Sequence, residues 1–386
     1  MAITPYTINY ENITRGNLIG VNIADIHFGA ADYKYQYDIL YNQFIQKIKQ
    51  LDRIDFITIN GDLYDHKFMS NSPVISYVLI FIDTLIQEVC IPKNATLLIL
   101  NGTASHDGGQ LSLLYKYTTR ADVDVRIREA CGFENIKGAR VLCVPEEYNK
   151  DSHYYEQFLF NSGLYDLCFF HGEFENTIYN EHKPTLDGRL PVFKLDDFRN
   201  CKGTIIGGHV HTPGCHQGYV YYCGSPYRWQ FGEEHEKGYL ISLHNLDDGS
   251  HYIHFEKIKS MTYNSIDLSS RMDRDPRDVI KEIETYKSQK EIDYLRVIFD
   301  SPGDTQLRNI QLIKKYFANN KYIKIKYNRV DKIKQDTDEK IRKLDKYNYV
   351  LDKSLDEYDI FIQYVNDKEG ENVITKNELI DLLQSD

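Results

Sequence analysis

Two histidines spaced two apart close the stretch Gly207-Gly208-His209-Val210-His211, and four shorter polar runs upstream make chemical sense only if they converge on it. On an extended segment, side chains at i and i+2 share a face, so His209 and His211 offer two nitrogen ligands to one place. The upstream runs are Ala24-Asp25-Ile26-His27, Gly61-Asp62-Leu63-Tyr64-Asp65, Ser105-His106-Asp107 and Phe170-His171-Gly172. Each follows a short apolar, β-rich segment: Leu18 to Ile23, Phe56 to Ile59, Ala95 to Leu100 and Leu167 to Phe170. Polar residues just past several strand ends face one edge of a sheet, which is where open α/β sheets gather their chemistry.

Between these strands the pattern turns helical. Tyr35 to Leu51 places Ile39, Leu40, Ile45 and Ile48 near one face. Strands alternating with helices from Leu18 to about Leu246 predict an α/β (layered α+β) domain. The stretch Pro73 to Val89 is more apolar than a one-sided surface helix needs, so it is either deeply buried or partly covered by another subunit. A chain of 386 residues is long enough for two or three cores. It shows no basic segment leading into an apolar one and no uninterrupted apolar run that would span a bilayer, which predicts a soluble, cytoplasmic protein without a membrane partner. Its seven scattered cysteines contain no C-x-x-C pair and suggest neither a disulfide framework nor a zinc knuckle. The net charge of −11 disfavours nonspecific binding to polyanions, but it is uneven: residues 266–330 are net basic and 331–386 net acidic.

Carboxylates and imidazoles without thiolates suit Mn, Fe or Zn in an oxygen and nitrogen site rather than a structural zinc. Asp25, His27, Asp62, His171, His209 and His211 make six candidate ligands. Six are too many for one tetrahedral ion and fit two ions sharing a carboxylate.

Taken in order, D-x-H, G-D-x-x-D, x-H-D, H-G and G-x-H-x-H resemble the calcineurin-like metallophosphoesterase superfamily. The run Gly224-Ser225-Pro226-Tyr227-Arg228-Trp229-Gln230-Phe231-Gly232-Glu233, followed by Lys237-Gly238, is similar to one in SbcD-type DNA repair nuclease subunits. The resemblance implies a calcineurin-like β-sandwich flanked by helices over residues 1–262, a small α+β cap that seats DNA over 263–330, and a linker with partner-binding helices over 331–386. It further implies a metal-dependent DNA exonuclease and endonuclease using two Mn2+, with Mg2+, Fe2+ or Zn2+ as alternatives. The implied partners are DNA, an SbcC-like SMC-type ATPase and a second copy of the chain.

Carried over residue by residue, Asp25, His27 and His211 would hold one ion, His171 and His209 the other, and Asp62 would bridge them. His106 would be the catalytic histidine beside the leaving oxygen, and Asp65 and Asp107 would orient ligands. Arg228 would contact DNA. One motif departs: where the family reads G-N-H-D or G-N-H-E, this chain has Asn101-Gly102-Thr103-Ala104-Ser105-His106-Asp107. Ser105 standing in for the asparagine, Asn101 folding back, or a water filling the place are all open, with Ser105 preferred because it keeps His106 in register.

Past residue 262, Asp275-Pro276 opens a helix, Tyr294 to Asp300 reads as a strand, Leu307 to Phe317 as a helix, and Tyr322 to Arg329 as a strand with Lys324 and Lys326 on its polar face. Those lysines are either a solvated face or phosphate contacts. Beyond Asp331, Val350, Leu351, Leu355, Tyr358, Ile362 and Val365 mark an amphipathic helix, and Thr375 with Glu378 forms a capping box. Two other functions fit the residues: a stand-alone phosphatase or phosphodiesterase on small molecules, and a catalytically weakened scaffold for the ATPase.

Overall fold

In the computed structural model, which describes residues 17–147, 150, 152–174, 192–233, 235–290, 292–300 and 303–327, the alternating apolar segments become strands. In chain order these are β1 (Asn17–Ile23), β2 (Phe56–Asn60), β3 (Thr96–Leu100), β4 (Val125–Arg128), β5 (Gly132–Ile136), β6 (Ala139–Val144), β7 (Leu167–His171), β8 (Glu173–Phe174), β9 (Val192–Phe193), β10 (Ile205–Gly208), β11 (Gly214–His216), β12 (Val220–Tyr222), β13 (Gly238–Asn245) and β14 (His251–Lys257). Two six-stranded sheets result, ordered β14-β13-β1-β2-β3-β4 and β11-β12-β10-β7-β6-β5. Their centres are parallel, β1 to β4 in the first and β6, β7, β10 and β12 in the second, with antiparallel strands at the edges.

Parallel strands buried on both faces need apolar residues at nearly every position, and period-two alternation decides which layer each one enters. In β2, Ile57 and Ile59 turn towards the helices while Phe56 turns inwards; in β3, Leu97 and Ile99 do the same opposite Leu98 and Leu100. In the second sheet, Val141, Leu167, Phe169 and Ile206 meet the first sheet, and Leu142, Phe170 and Ile205 face outwards. Phe56 and Phe169 lock the two inner faces, ring centroids 5.4 Å apart, a contact worth about 0.5–1.5 kcal/mol beyond the area it buries. The result is four layers, helix, sheet, sheet and helix: the α/β layered class expected from the sequence.

Helix Tyr33–Leu40, continuing as a wider π turn over Tyr41–Ile45 and on to Ile48, covers the first sheet, together with Pro73–Leu85 and its continuation to Lys93. Asp32 caps the first helix by accepting from the amides of Lys34 and Tyr35, and Ser72 caps the second ahead of Pro73. One face of the apolar helix packs into the core through Val78, Phe81, Ile82, Leu85, Ile86 and Val89, while Ile80 on its other side is exposed.

By its contacts the chain divides into two compact units, Met1–Ser265 with Lys287–Leu295, and Ile266–Tyr286 with Arg296–Asp386. Strands β15 (Tyr263–Asp267), β16 (Tyr294–Phe299) and β17 (Ile323–Tyr327) form a third sheet in that order. Helices Pro276–Gln289 and Asp304–Tyr316 contribute Val279, Ile283, Ile310 and Ile313 to the core of the second unit, beside Val297, Phe299 and Ile323. Lys324 and Lys326 are exposed on β17. The expected helices over 331–386 lie outside the described residues.

One buried histidine makes the fold pH-sensitive. His244 on β13 stacks on Phe56 at 6.0 Å with neither ring nitrogen hydrogen-bonded, and burial, reinforced by His251, pushes its pKa down to about 3. The native state therefore rejects a proton that the unfolded chain accepts below about pH 6.5. Stability should fall as pH drops from about 6.5 towards 3, by up to about 1.4 kcal/mol per pH unit from this group. His244→Phe should flatten the slope of denaturation midpoint against pH by one proton; parallel slopes in the two proteins would refute the assignment.

Candidate metal centre

The polar runs lie at the ends of the parallel strands and are pulled together by backbone hydrogen bonds between neighbouring loops. Asp25 N donates to Gly61 O (3.1 Å) and His27 N to Asp62 O (2.9 Å), which joins the loop after β1 to the loop after β2. Across to the second sheet, His209 N donates to Asp25 Oδ1 at 2.9 Å. Asp25, His27, Asp62 and His209 all carry positive φ, at 51°, 47°, 51° and 90°. Non-glycine residues rarely adopt this conformation, and it marks sites where surroundings enforce a local cost of about 1–3 kcal/mol per residue. A Cβ at Gly102 would run into the amide nitrogen and carboxylate of Asp62, so only glycine lets the two loops close.

Three groups of possible ligands gather here: Asp25, His27 and His211; Asp62, His171 and His209; and His27, Asp65 and His106. Atoms bound to one ion at about 2.1 Å lie about 3.0–3.4 Å from one another. His27 Nε2 is 3.2 Å from His211 Nε2, and His171 Nε2 is 3.3 Å from Asp62 Oδ2. The same Asp62 Oδ2 is 3.7 Å from His27 Nε2. Asp62 thus stands between the first two groups.

The backs of three rings are held. His171 Nδ1 is 2.7 Å from Asn60 O, which can only accept, so Nδ1 carries the proton and Nε2 turns its lone pair to the cluster. His211 Nδ1 is 3.3 Å from Glu233 Oε1, and His209 Nε2 is 3.3 Å from Glu173 Oε1. Carboxylates and carbonyls behind ligating imidazoles are the usual way a metal site fixes tautomer and orientation.

A cation fits these residues on two further grounds. His171 Nε2 and Asp25 Oδ2 are buried without a hydrogen-bond partner, and orphans of this kind are costly. Asp25, Asp62, Glu146 and Glu173 are each 3% exposed or less, and buried carboxylates without compensating positive charge are costlier still. Burial raises the Asp25 carboxyl. It would raise Asp62 too, but His171 and His27 outweigh it and hold that carboxyl below the usual range, while Asp62 in turn lifts His171. Burial lowers His27 well below an ordinary imidazole.

Other expected residues take different places. His106 Nδ1 bonds the Asp65 carbonyl, and its ring centroid lies 4.7 Å from that of His27. Asp65 Oδ1 is 3.8 Å from His27 Nδ1. Asp107 accepts from Tyr64 N and Gly102 N, both at 3.0 Å, and so ties the two loops together. Ser105 does not fill the gap left by the missing asparagine: it is exposed. Asn101 is buried, and its Nδ2 donates to Gly102 O at 3.0 Å. The extra residues of this loop bring Thr103 to the cluster instead, its amide 2.6 Å from Asp62 Oδ1 and its hydroxyl 3.1 Å from Asp62 Oδ2. Arg228 is no free DNA contact: its Nε and Nη2 donate to the carbonyls of Glu233 (2.8 Å) and His235 (2.6 Å), closing its own loop. Glu146 and Glu173 were not anticipated. Glu146 follows the apolar strand β6 in Pro145-Glu146, the same strand-then-acid pattern that flagged Asp25.

Neither a known family model nor a curated protein sequence matches the chain.

Mn2+ bound only by the native state raises the unfolding midpoint, by about 2.7 kcal/mol of stability at 100 times Kd. The wild-type chain should show that shift in a thermal melt and Asp62→Ala should lose most of it; equal shifts in both would place the ions elsewhere.

Proposed function

We propose that this chain is a two-metal phosphodiesterase of the calcineurin-like metallophosphoesterase type, acting as the nuclease subunit of an SbcCD-like complex at DNA ends. The observation that carries this reading is the shared Asp62 Oδ2, 3.3 Å from His171 Nε2 and 3.7 Å from His27 Nε2. A single carboxylate facing two histidine groups is the arrangement that two adjacent cations require. Asp25, His27 and His211 would hold one, His171 and His209 the other, and Asp62 both. Mn2+ suits this oxygen and nitrogen set, as would Mg2+, Fe2+ or Zn2+. Bound there, such ions would offset charge on a phosphate and make water a better nucleophile.

The chain's own groups supply the rest. Asp25 and Asp62 are held by the amides of His209 and Thr103, so their oxygens are fixed before any substrate arrives. His106 Nδ1 is committed to the Asp65 carbonyl and so carries a proton; with the ring as an imidazolium, Nε2 can give its own proton to a departing oxygen and keep the neutral ring's lone pair. Trp229 lies 5.0 Å from the His27 ring and 5.2 Å from that of His211, and shields one side of that pair from water.

Two features support DNA over a small phosphodiester: the likeness of the G-S-P-x-R run and its following Lys237-Gly238 to that of SbcD-type subunits, a likeness of sequence and not of free contacts, and the exposed Lys324 and Lys326, suited to phosphate contact. An SbcC-like ATPase and a second copy of the chain would be its partners. With Mn2+, end-labelled duplex should turn over faster than an aryl phosphodiester, and the reverse preference would favour a small-molecule enzyme. Asp62→Ala should abolish cleavage. His106→Ala should keep its metal and lose about 10²–10⁴-fold in rate, the usual worth of a positioned proton donor. Cleavage surviving Asp62→Ala would overturn the proposal.

A further inference from the structure

We propose that Glu146 is a direct ligand of the second ion, taking with its carboxylate the place that the missing asparagine leaves; this rests on the two-ion reading above. Glu146 stands just past β6, its side chain 1% exposed. One of its oxygens, Oε2, lies 3.2 Å from His209 Nδ1 and 3.6 Å from His171 Nε2. It also lies 3.3 Å from the hydroxyl of Thr103, which is itself 3.1 Å from Asp62 Oδ2. These separations match those within the His171 and Asp62 pair, and are close to the edge of a coordination shell whose bonds are about 2.1 Å.

Both nitrogens of His209 face a carboxylate, so the two must be told apart. Glu173 meets Nε2. Glu146 meets Nδ1 while also approaching His171 Nε2, the nitrogen that the Asn60 carbonyl turns into the cluster. Glu146 is therefore on the ligand side of His209 and Glu173 on its supporting side. The backbone holds it there through Glu146 N to Asn101 O at 3.2 Å, which ties its loop to the one that carries the sequence departure. Lengthening that loop moves Ser105 into solvent, and a longer acidic side chain from the neighbouring strand end reaches the vacated place. The exchange replaces a neutral amide oxygen with a charged one, which favours a hard divalent cation such as Mn2+ or Mg2+.

The test counts ions in the full chain. Mn2+ content by elemental analysis and calorimetric titration would be measured for wild type, Glu146→Ala, Glu146→Cys and Ser105→Ala. Wild type and Ser105→Ala should hold two Mn2+ per chain. Glu146→Ala, which leaves no oxygen donor, should keep one ion within about threefold of its wild-type affinity and weaken the other about 100-fold or more, beyond the 10–100-fold typical of residues that only orient a ligand. Glu146→Cys should regain the second ion with Zn2+ but not with Mn2+, because thiolate prefers the softer metal; a residue that merely buttressed His209 would produce no such switch. Two ions held by Glu146→Ala within about threefold of wild type would overturn the assignment of Glu146 while leaving the two-ion reading intact. Wild type binding no Mn2+ would overturn both. If Glu146→Ala fails to fold, the metal preference of Glu146→Cys decides: Zn2+ uptake supports the ligand and its absence rejects it.

Discussion

The Asp62 carboxylate, 3% exposed, is the point on which the rest of the architecture depends. An isolated carboxylate buried this deeply costs several kcal/mol or more unless charge and hydrogen bonds compensate. Everything around Asp62 provides that compensation. Thr103 gives it an amide and a hydroxyl, His27 and His171 flank it, and Gly102 leaves room for it to sit against the neighbouring loop. The left-handed backbone at Asp25, His27, Asp62 and His209 makes sense in the same terms. The chain must turn sharply just past each strand to aim a side chain along the sheet edge instead of across its face.

A second layer of groups gives the cluster its stiffness. Asn60, Glu173 and Glu233 sit behind three imidazoles. Glu233 is in turn 3.4 Å from the buried ammonium of Lys237, which also donates to Ser225 Oγ and His211 O. Arg228 closes the same loop through two carbonyls. The Gly224 to Gly238 run that reads like a DNA-handling motif therefore acts here as a brace for His211. Arg228, Glu233 and Lys237 bond to each other and to the backbone, and the histidine they surround is the one that faces the cluster.

Most of the cluster was legible because the chain writes it in local form, an apolar run followed at once by an acid or a histidine. Asp25, His27, Asp62, His171, His209 and His211 could be picked out that way, and the structure brings all six together. The layered α/β class was legible for the same reason, since the strand and helix periods alternate. What stayed hidden depends on partners distant in sequence. The order of strands in each sheet, and the pairing of β1 with β13, follow from contacts no local pattern records. The apolar helix from Pro73 reads the same whether a sheet or another subunit covers it; Phe28 and Phe44, both packed on Phe81, account for its inner face. Glu146 follows its strand as Asp25 does, but Pro145-Glu146-Glu147 offers two adjacent acids and no local sign of which turns inwards, while Ser105 aligns with the family's asparagine because that keeps His106 in register. Their roles turn on how two loops from different sheets meet.

Asp25 and His209 are 184 positions apart, as are His27 and His211. Asp25, His27 and Asp62 belong to the first sheet, while Glu146, His171, His209 and His211 belong to the second. Assembly is therefore all or nothing: a chain still emerging from the ribosome carries Asp25, His27 and Asp62 but not the three later imidazoles that complete the cluster. Such long-range closure comes late in folding. Any ion held at this edge thus waits on completion of the sandwich itself, and a nascent or half-collapsed molecule carries only an unfinished site.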